Sequence, residues 1–339
     1  MDVSAGNTST SSPNASSPSV TPLTSSLSFS LLLIAMVTGL PGNLLVVSSG
    51  AFRPRGGPRR RRRRSISALL VLQLASADFL VLLTTPFFLR QVWRGGAWEF
   101  GEGACKLLHY ASAVNMYVSV YLVALMGLDR HLGVARPFLS QRLRTRSRLY
   151  AALAVVWVLA LTMPVSLLVY RRVQHGMCFL SYPTPGHQQV FQCSLELSAA
   201  FLLPFGLMTL CYLRVVRKLA SHSRRHRRSY GRTNRLICLV VGTFALLWTP
   251  YHLSNALQVG ALWSGSSPGL LRFCLRSRPV VISLGYLSSA VNPVLYALAG
   301  PSPPGGPPRP PGGRSSPPAS WMPLLRRTPP LEGPSASKA

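Results

Sequence analysis

Apolar residues gather in seven long runs, near residues 28–51, 66–92, 104–128, 149–170, 190–213, 236–259 and 279–300. Short stretches rich in arginine, proline and glycine separate them. Each run is close to the ~20 residues a helix needs to cross a bilayer core. The third run shows the pattern best. At ~1.5 Å per residue, a helix from Cys105 to Arg130 covers roughly 38 Å, which exceeds a core of ~30 Å and predicts a tilted span. Its polar residues fall in helical steps. Asn115 and Ser119 are four apart and share a face, while His109 and Tyr117 are eight apart and nearly share another.

The other runs carry polar residues at comparable depth: Asn43, Asp78, Ser288 and Asn292. An aspartate inside hydrocarbon is costly and points to function. With Asn115 and Ser119 these residues form either a water-filled or sodium-holding cluster, or a structural hydrogen-bond network. Pro41 and Pro86 predict kinks in the first two runs, and Pro204, Pro250 and Pro293 predict bending points in the fifth, sixth and seventh.

Composition agrees with a membrane bundle. Of 339 residues, 48% are hydrophobic and only 13% charged, against about 25% charged in soluble domains. The net charge of +29 suggests nucleic acid, but its distribution argues against that partner. Of 36 Lys and Arg, 28 lie in the first, third and fifth connections and the tail after the seventh run, six lie in the remaining connections, and Arg90 and Lys106 lie near the ends of the second and third runs. By the positive-inside rule the N-terminus is outside and the C-terminus cytoplasmic. The six consecutive arginines Arg59 to Arg64 read as an anchor to anionic membrane lipids.

Residues 1–27 are rich in Ser, Thr and Pro and read as a disordered extracellular segment, with glycosylation sequons at Asn7 and Asn14. No basic segment precedes the first run, so it is expected to act as its own insertion signal. Residues 301–339, dense in Pro and Gly, read as a disordered cytoplasmic tail. Cys105 and Cys178 both fall at the outer face, where a disulfide would pin the second outer loop to the third helix. No metal-ligand spacing, nucleophile–base pair or phosphate loop assembles, which leaves nothing to support an enzyme.

These motifs carry a resemblance. Gly42-Asn43, Leu74-Ala75-x-Ala77-Asp78, Cys105 with Cys178, Asp129-Arg130-His131, Trp157, Pro204 with Tyr212, Phe244-x-x-x-Trp248-x-Pro250 and Asn292-Pro293-x-x-Tyr296 stand in order across residues 28–300. The set resembles the rhodopsin-like (class A) G-protein-coupled receptors. The segments LLTTPFFL, CKLLHYASAVNMYVSV, LDRHLGVARPFLSQRLRT, FLLPF and SSAVNPVLYA are similar to the leukotriene B4 receptors, most of all the high-affinity subtype. The resemblance implies an all-α membrane protein of the plasma membrane. It implies a seven-transmembrane bundle signalling through inhibitory heterotrimeric G proteins in leukocyte chemotaxis and inflammation, with arrestin as a further partner.

On that resemblance, Asp129 and Arg130 form the inner lock, and Tyr212 and Tyr296 reorganise around Arg130 on activation. Trp248, with Phe244, Pro250 and Pro293, relays ligand binding, and Asp78, Asn115, Ser119 and Asn292 hold an allosteric sodium ion. Leukotriene B4, or a related oxylipin, has one carboxylate, two hydroxyls and a polyene chain. The carboxylate calls for Arg171, Arg276 or Arg278. The hydroxyls call for His109, Tyr117, Tyr251, His252 or Asn255, with Glu196 positioning a basic or hydroxyl group. A chemotactic-peptide receptor of the same fold and a transporter or channel are the alternatives. The chain departs from the family in three places: His131 where tyrosine is usual, a longer and more basic first inner loop, and Pro/Gly-rich sequence where an eighth helix is expected after Tyr296.

Overall fold

The third run becomes one helix, α4 (Gly101–Ala135), and most other elements pack against it. A computed structural model of the chain describes residues 21–51, 66–220, 224–264 and 267–299. Asn7, Asn14, the run Arg59 to Arg64 and the tail 301–339 lie outside the described residues, as does the side chain of Arg130.

The first run is α1 (Pro22–Ala51). It begins earlier than the apolar pattern suggests, inside the stretch expected to be disordered. Thr24 Oγ1 and Ser28 Oγ return to the carbonyls of Thr21 and Thr24 at 2.8 and 2.7 Å, so these hydroxyls bond within the helix. The second run is α2 (Ile66–Leu82) and α3 (Thr85–Trp93), broken ahead of Pro86, which lacks the N–H to continue. A short α5 (Pro137–Leu143) follows α4. The fourth run is α6 (Arg146–Thr162) and α7 (Val165–Tyr170), interrupted at Pro164. Tyr110 Oη caps the Leu161 carbonyl beside this break at 2.7 Å.

The fifth run is α8 (Pro185–Leu197), a π-helical turn (Ser198–Leu202) and α9 (Leu203–Ala220). The turn precedes Pro204, and Leu203 N–H reaches back to Ser198 O. The sixth and seventh runs are α10 (Arg224–Ser264) and α11 (Pro268–Ala299), which continue as helix through Pro250 and through Pro279 and Pro293.

Six described helical segments are long and apolar enough to cross a membrane: Pro22–Ser49, Ile66–Trp93, Gly101–Gly133, Arg146–Tyr170, Gly186–Arg217 and Pro268–Tyr296. α10, packed against α11, α8 and α9, supplies the seventh. Val37, Leu80, Val155 and Leu246 are 57–73% exposed, and lipid is the solvent that suits such faces. Inside, Tyr117, Val118, Val120, Leu122 and Val123 of α4 are almost completely buried.

Between α7 and α8 the chain forms a hairpin of β1 (Arg171–Gln174) and β2 (Met177–Leu180), antiparallel with Arg171 opposite Leu180. His175 and Gly176 turn it with φ of 51° and 69°, the left-handed pair that suits a two-residue hairpin loop. Three ties hold the hairpin down: the Cys105–Cys178 disulfide, Trp98 N–H to Gly176 O at 2.7 Å, and the Ala97–Met177 bridge.

Small residues let α1 close on its neighbours. A Cβ on Gly39 would sit 2.6 Å from Leu82 Cδ1 and 2.9 Å from Ala290 Cβ. On Gly206 it would meet nothing within 4 Å. Gly39→Val is therefore expected to cost about 1–3 kcal/mol and lower the melting temperature of the purified protein, while Gly206→Ala holds or raises it. Equal melting temperatures for the two variants would rule out the close approach of α1.

Candidate functional site

At the hairpin end the bundle encloses a cavity of about 720 Å³ with mostly apolar walls. α4, β2, α8, α10 and α11 all contribute to it, and α1 and α3 close one side. Its size and character suit a small amphiphile.

One wall is a buried polar ladder. Glu196 of α8 accepts three hydrogen bonds: from Gln192 Nε2 at 2.9 Å, Tyr251 Oη at 2.7 Å and Asn255 Nδ2 at 3.0 Å. Arg278 of α11 donates to Asn255 Oδ1 at 3.2 Å and Tyr251 Oη at 3.4 Å, and its guanidinium lies over the Tyr251 ring at 5.4 Å. Cation and anion are thus linked through two neutral intermediates. Ser166 Oγ extends the ladder by donating to Gln192 Oε1 at 2.8 Å.

Arg171, at the start of β1, is the second cation of the cavity. One guanidinium nitrogen contacts Cys178 O and Sγ at 3.4 Å each, and its Nε is buried without a hydrogen-bond partner among the described residues. Burial, and next the charge of Arg278, pull Arg171 down to about 9. It remains a cation at neutral pH, in surroundings that an incoming anion would improve. His109 lies beside it. Its Nδ1 is 2.8 Å from Cys105 O and 3.6 Å from Cys178 Sγ. Since a carbonyl only accepts, the ring proton belongs on Nδ1 and Nε2 is left as an acceptor. Cys105, Cys178 and His109 are clustered, but the two sulfurs are joined in the disulfide and offer no thiolate to a metal.

Other expected ligand residues fall elsewhere. Arg276 is exposed and outside the cavity walls, because two positions on a helix from Arg278 turns a side chain by ~200°. His252 stacks on Phe201 at 4.7 Å behind the wall, and its ring nitrogens have no partner among the described residues. Tyr117 is buried in the core outside the lining, and Asn255, also outside it, bonds Glu196 and Arg278 among the described residues. Gln192, Ser166, Ser112 and Tyr286 are polar residues of this region that the sequence pattern did not single out.

Deeper in the bundle, Asp78 accepts from Asn292 Nδ2 at 2.8 Å and Ser119 Oγ at 3.4 Å. Asn115 Nδ2 donates to Ser289 Oγ at 3.3 Å. Ser288 belongs to a different contact: it accepts from Trp248 Nε1 at 3.0 Å and donates to Gly285 O at 2.7 Å. Adjacent residues on a helix differ by ~100°, so Ser289, not Ser288, reaches Asn115. Asn43 bonds the carbonyls of Gly39 and Ser289 at 3.0 Å each, tying α1 to α11. Trp248 stacks with Phe244 at 5.7 Å and lies where a Cβ on Gly285 would intrude, at 2.9 Å.

At the opposite end, Asp129 is gripped by Arg144, Nε to Oδ1 at 2.8 Å and Nη2 to Oδ2 at 3.3 Å, with Ser67 Oγ at 3.4 Å. Arg144, just beyond α5, is a partner the sequence pattern did not mark. Tyr296 Oη is buried without a partner among the described residues, and Tyr212 is 46% exposed.

The ladder has a testable cost. Arg278→Ala leaves Glu196 buried without its countercharge and is expected to destabilise the protein by about 3–5 kcal/mol. The double variant Glu196→Gln with Arg278→Gln is expected to recover most of that loss in a thermal-shift measurement. Additive losses would show that the two charges are not coupled.

Residues 42–296 match the 7 transmembrane receptor (rhodopsin family). Leukotriene B4 receptor 1 of Homo sapiens is 44% identical over 283 residues, 81% of this chain and 77% of that protein. Leukotriene B4 receptor 2 of Homo sapiens is 41% identical over 269 residues, 78% and 73% of the two chains. Apelin receptor A of Danio rerio is 29% identical over 285 residues, 79% and 77%. The matched region runs from within α1 to the end of the Asn292–Tyr296 motif, and the chain belongs to the rhodopsin family of seven-transmembrane receptors.

Proposed function

We propose that the chain is a plasma-membrane receptor for leukotriene B4 or a closely related dihydroxylated fatty acid, and that it signals through inhibitory G proteins. The hairpin end faces outside and the Asp129 end faces the cytoplasm. One observation carries the ligand reading. Among the described residues the cavity is lined by two arginines and one glutamate, and the glutamate is already linked to Arg278, so Arg171 remains as the cation for a carboxylate. A charge-assisted contact in such a poorly solvated place is strong. The apolar walls suit the polyene chain, and the names of the relatives at 41–44% identity point the same way.

The test is inhibition of cyclic AMP accumulation in transfected cells on adding leukotriene B4. Arg171→Ala is expected to raise the half-effective concentration at least about tenfold, and His109→Ala to raise it less. A surface-expressed wild type that gives no response would remove the ligand assignment. An unchanged potency in both variants would move the carboxylate site elsewhere.

We also propose that the Asp78 cluster holds sodium in the resting state, with arrestin joining after activation. The donor set fits a hard cation. Asp78 supplies a carboxylate, Ser119 a hydroxyl, and Asn115 Oδ1 is a buried acceptor without a hydrogen-bond donor among the described residues. Sodium chloride is expected to weaken agonist binding to wild type more than an equal concentration of N-methylglucamine chloride does, and Asp78→Asn is expected to abolish that difference. Retention of the sodium effect in Asp78→Asn would exclude this site.

A further inference from the structure

The cavity has a second polar corner, on the side away from the Glu196 ladder. It is formed by Ser112 of α4, Tyr286 of α11 and Thr84 at the joint of α2 and α3, and the first two line the cavity. Ser112 Oγ is 2.5 Å from Tyr286 Oη, and Thr84 Oγ1 is 3.3 Å from it.

The direction of these bonds follows from counting protons. Ser112 Oγ lies 2.8 Å from the Leu108 carbonyl, and Thr84 Oγ1 lies 2.6 Å from the Val81 carbonyl. Carbonyls only accept, so both hydroxyl protons point at backbone. Tyr286 has one proton, and its shortest contact directs it to Ser112. Among the described residues none at this corner then donates to the Tyr286 oxygen, which keeps acceptor capacity toward the cavity.

The corner is connected to Arg171 along one wall. Arg171 touches Cys178 Sγ at 3.4 Å, and His109 approaches the same sulfur at 3.6 Å. Phe88 packs on His109 at 5.1 Å and on Tyr286 at 5.7 Å. His109 Nε2 is also an acceptor, so beyond the arginine this wall favours ligand groups that donate.

We propose that Ser112, Tyr286 and Thr84 form a hydroxyl-recognition subsite, in which an alcohol of the lipid donates a hydrogen bond to the Tyr286 oxygen. The inference rests on the lipid reading given above and adds a chemical preference to it. An alcohol suits the corner, whereas a ketone or methyl ether there brings an acceptor to acceptors and leaves the corner unpaired.

The test uses the purified full-length receptor. Affinities are measured for leukotriene B4, for two analogues each lacking one of its hydroxyls, and for the corresponding ketones. Tyr286→Phe keeps the ring and removes the oxygen. It is expected to weaken leukotriene B4 about tenfold and to leave one of the two deoxy analogues unaffected. Ser112→Ala releases the Tyr286 proton and is expected to improve the matching ketone relative to the alcohol, a change of preference that general loosening of the fold would not produce. Equal loss on all ligands, or no loss on any, overturns the subsite. If the wild type binds none of these lipids, the ligand reading itself falls, a different result from a wild type that binds and a Tyr286→Phe variant that does not discriminate.

Discussion

Hydrocarbon offers no hydrogen-bond partner, so polar groups carried into this bundle depend on partners within the protein, and the longer-range ones are found on other helices. That constraint is met largely on α11. Within little more than one turn, Ser288 meets Trp248 of α10, Ser289 meets Asn115 of α4, the Ser289 carbonyl meets Asn43 of α1, and Asn292 meets Asp78 of α2. One short segment is therefore bonded to four other helices. The close approach of α1 at Gly39 and Gly42 permits the Asn43 link, and the missing Cβ of Gly285 makes room for Trp248. Polar satisfaction and small-residue packing are here the same requirement.

The cavity adds a different balance. Its Glu196–Arg278 ladder is closed on itself, with donors and acceptors matched through Tyr251 and Asn255. Such a network fixes the positions of α8, α10 and α11 relative to one another. Arg171 is the opposite case, half-buried and incompletely bonded, carried on a hairpin that the disulfide ties to α4. A rigid ladder beside an underused cation gives a site that is shaped in advance and has its charge available.

Seven spans were legible because 20-residue apolar runs between basic connections have no soluble interpretation. The ordered motifs, read as a resemblance, identified the family. What the pattern missed depends on angle or on local bonding. Hydropathy cannot tell Ser288 from Ser289, nor Arg276 from Arg278, because each pair has similar chemistry and differs only in helical phase. The early start of α1 was hidden by serines and threonines whose hydroxyls bond within their own helix. Arg144 gave no signal, since one arginine in a basic loop looks like the next until α5 carries the chain back beneath Asp129. The Tyr286 corner needed distances, because its meaning lies in which proton goes where.

The π-helical turn at Ser198–Leu202 divides the fifth span into two parts with independent phase. Below it, Phe205 and Met208 face the core. Above it, Gln192 and Glu196 face the cavity. One additional residue in the turn rotates the upper part by ~100° against the lower. The span behaves as a shaft with a keyed joint: its lower section is held by packing that any such bundle needs, while the angle of the joint decides which side chains are presented to the cavity. The lining of the cavity is thus partly a matter of chain length across five residues, and not only of which side chains stand there.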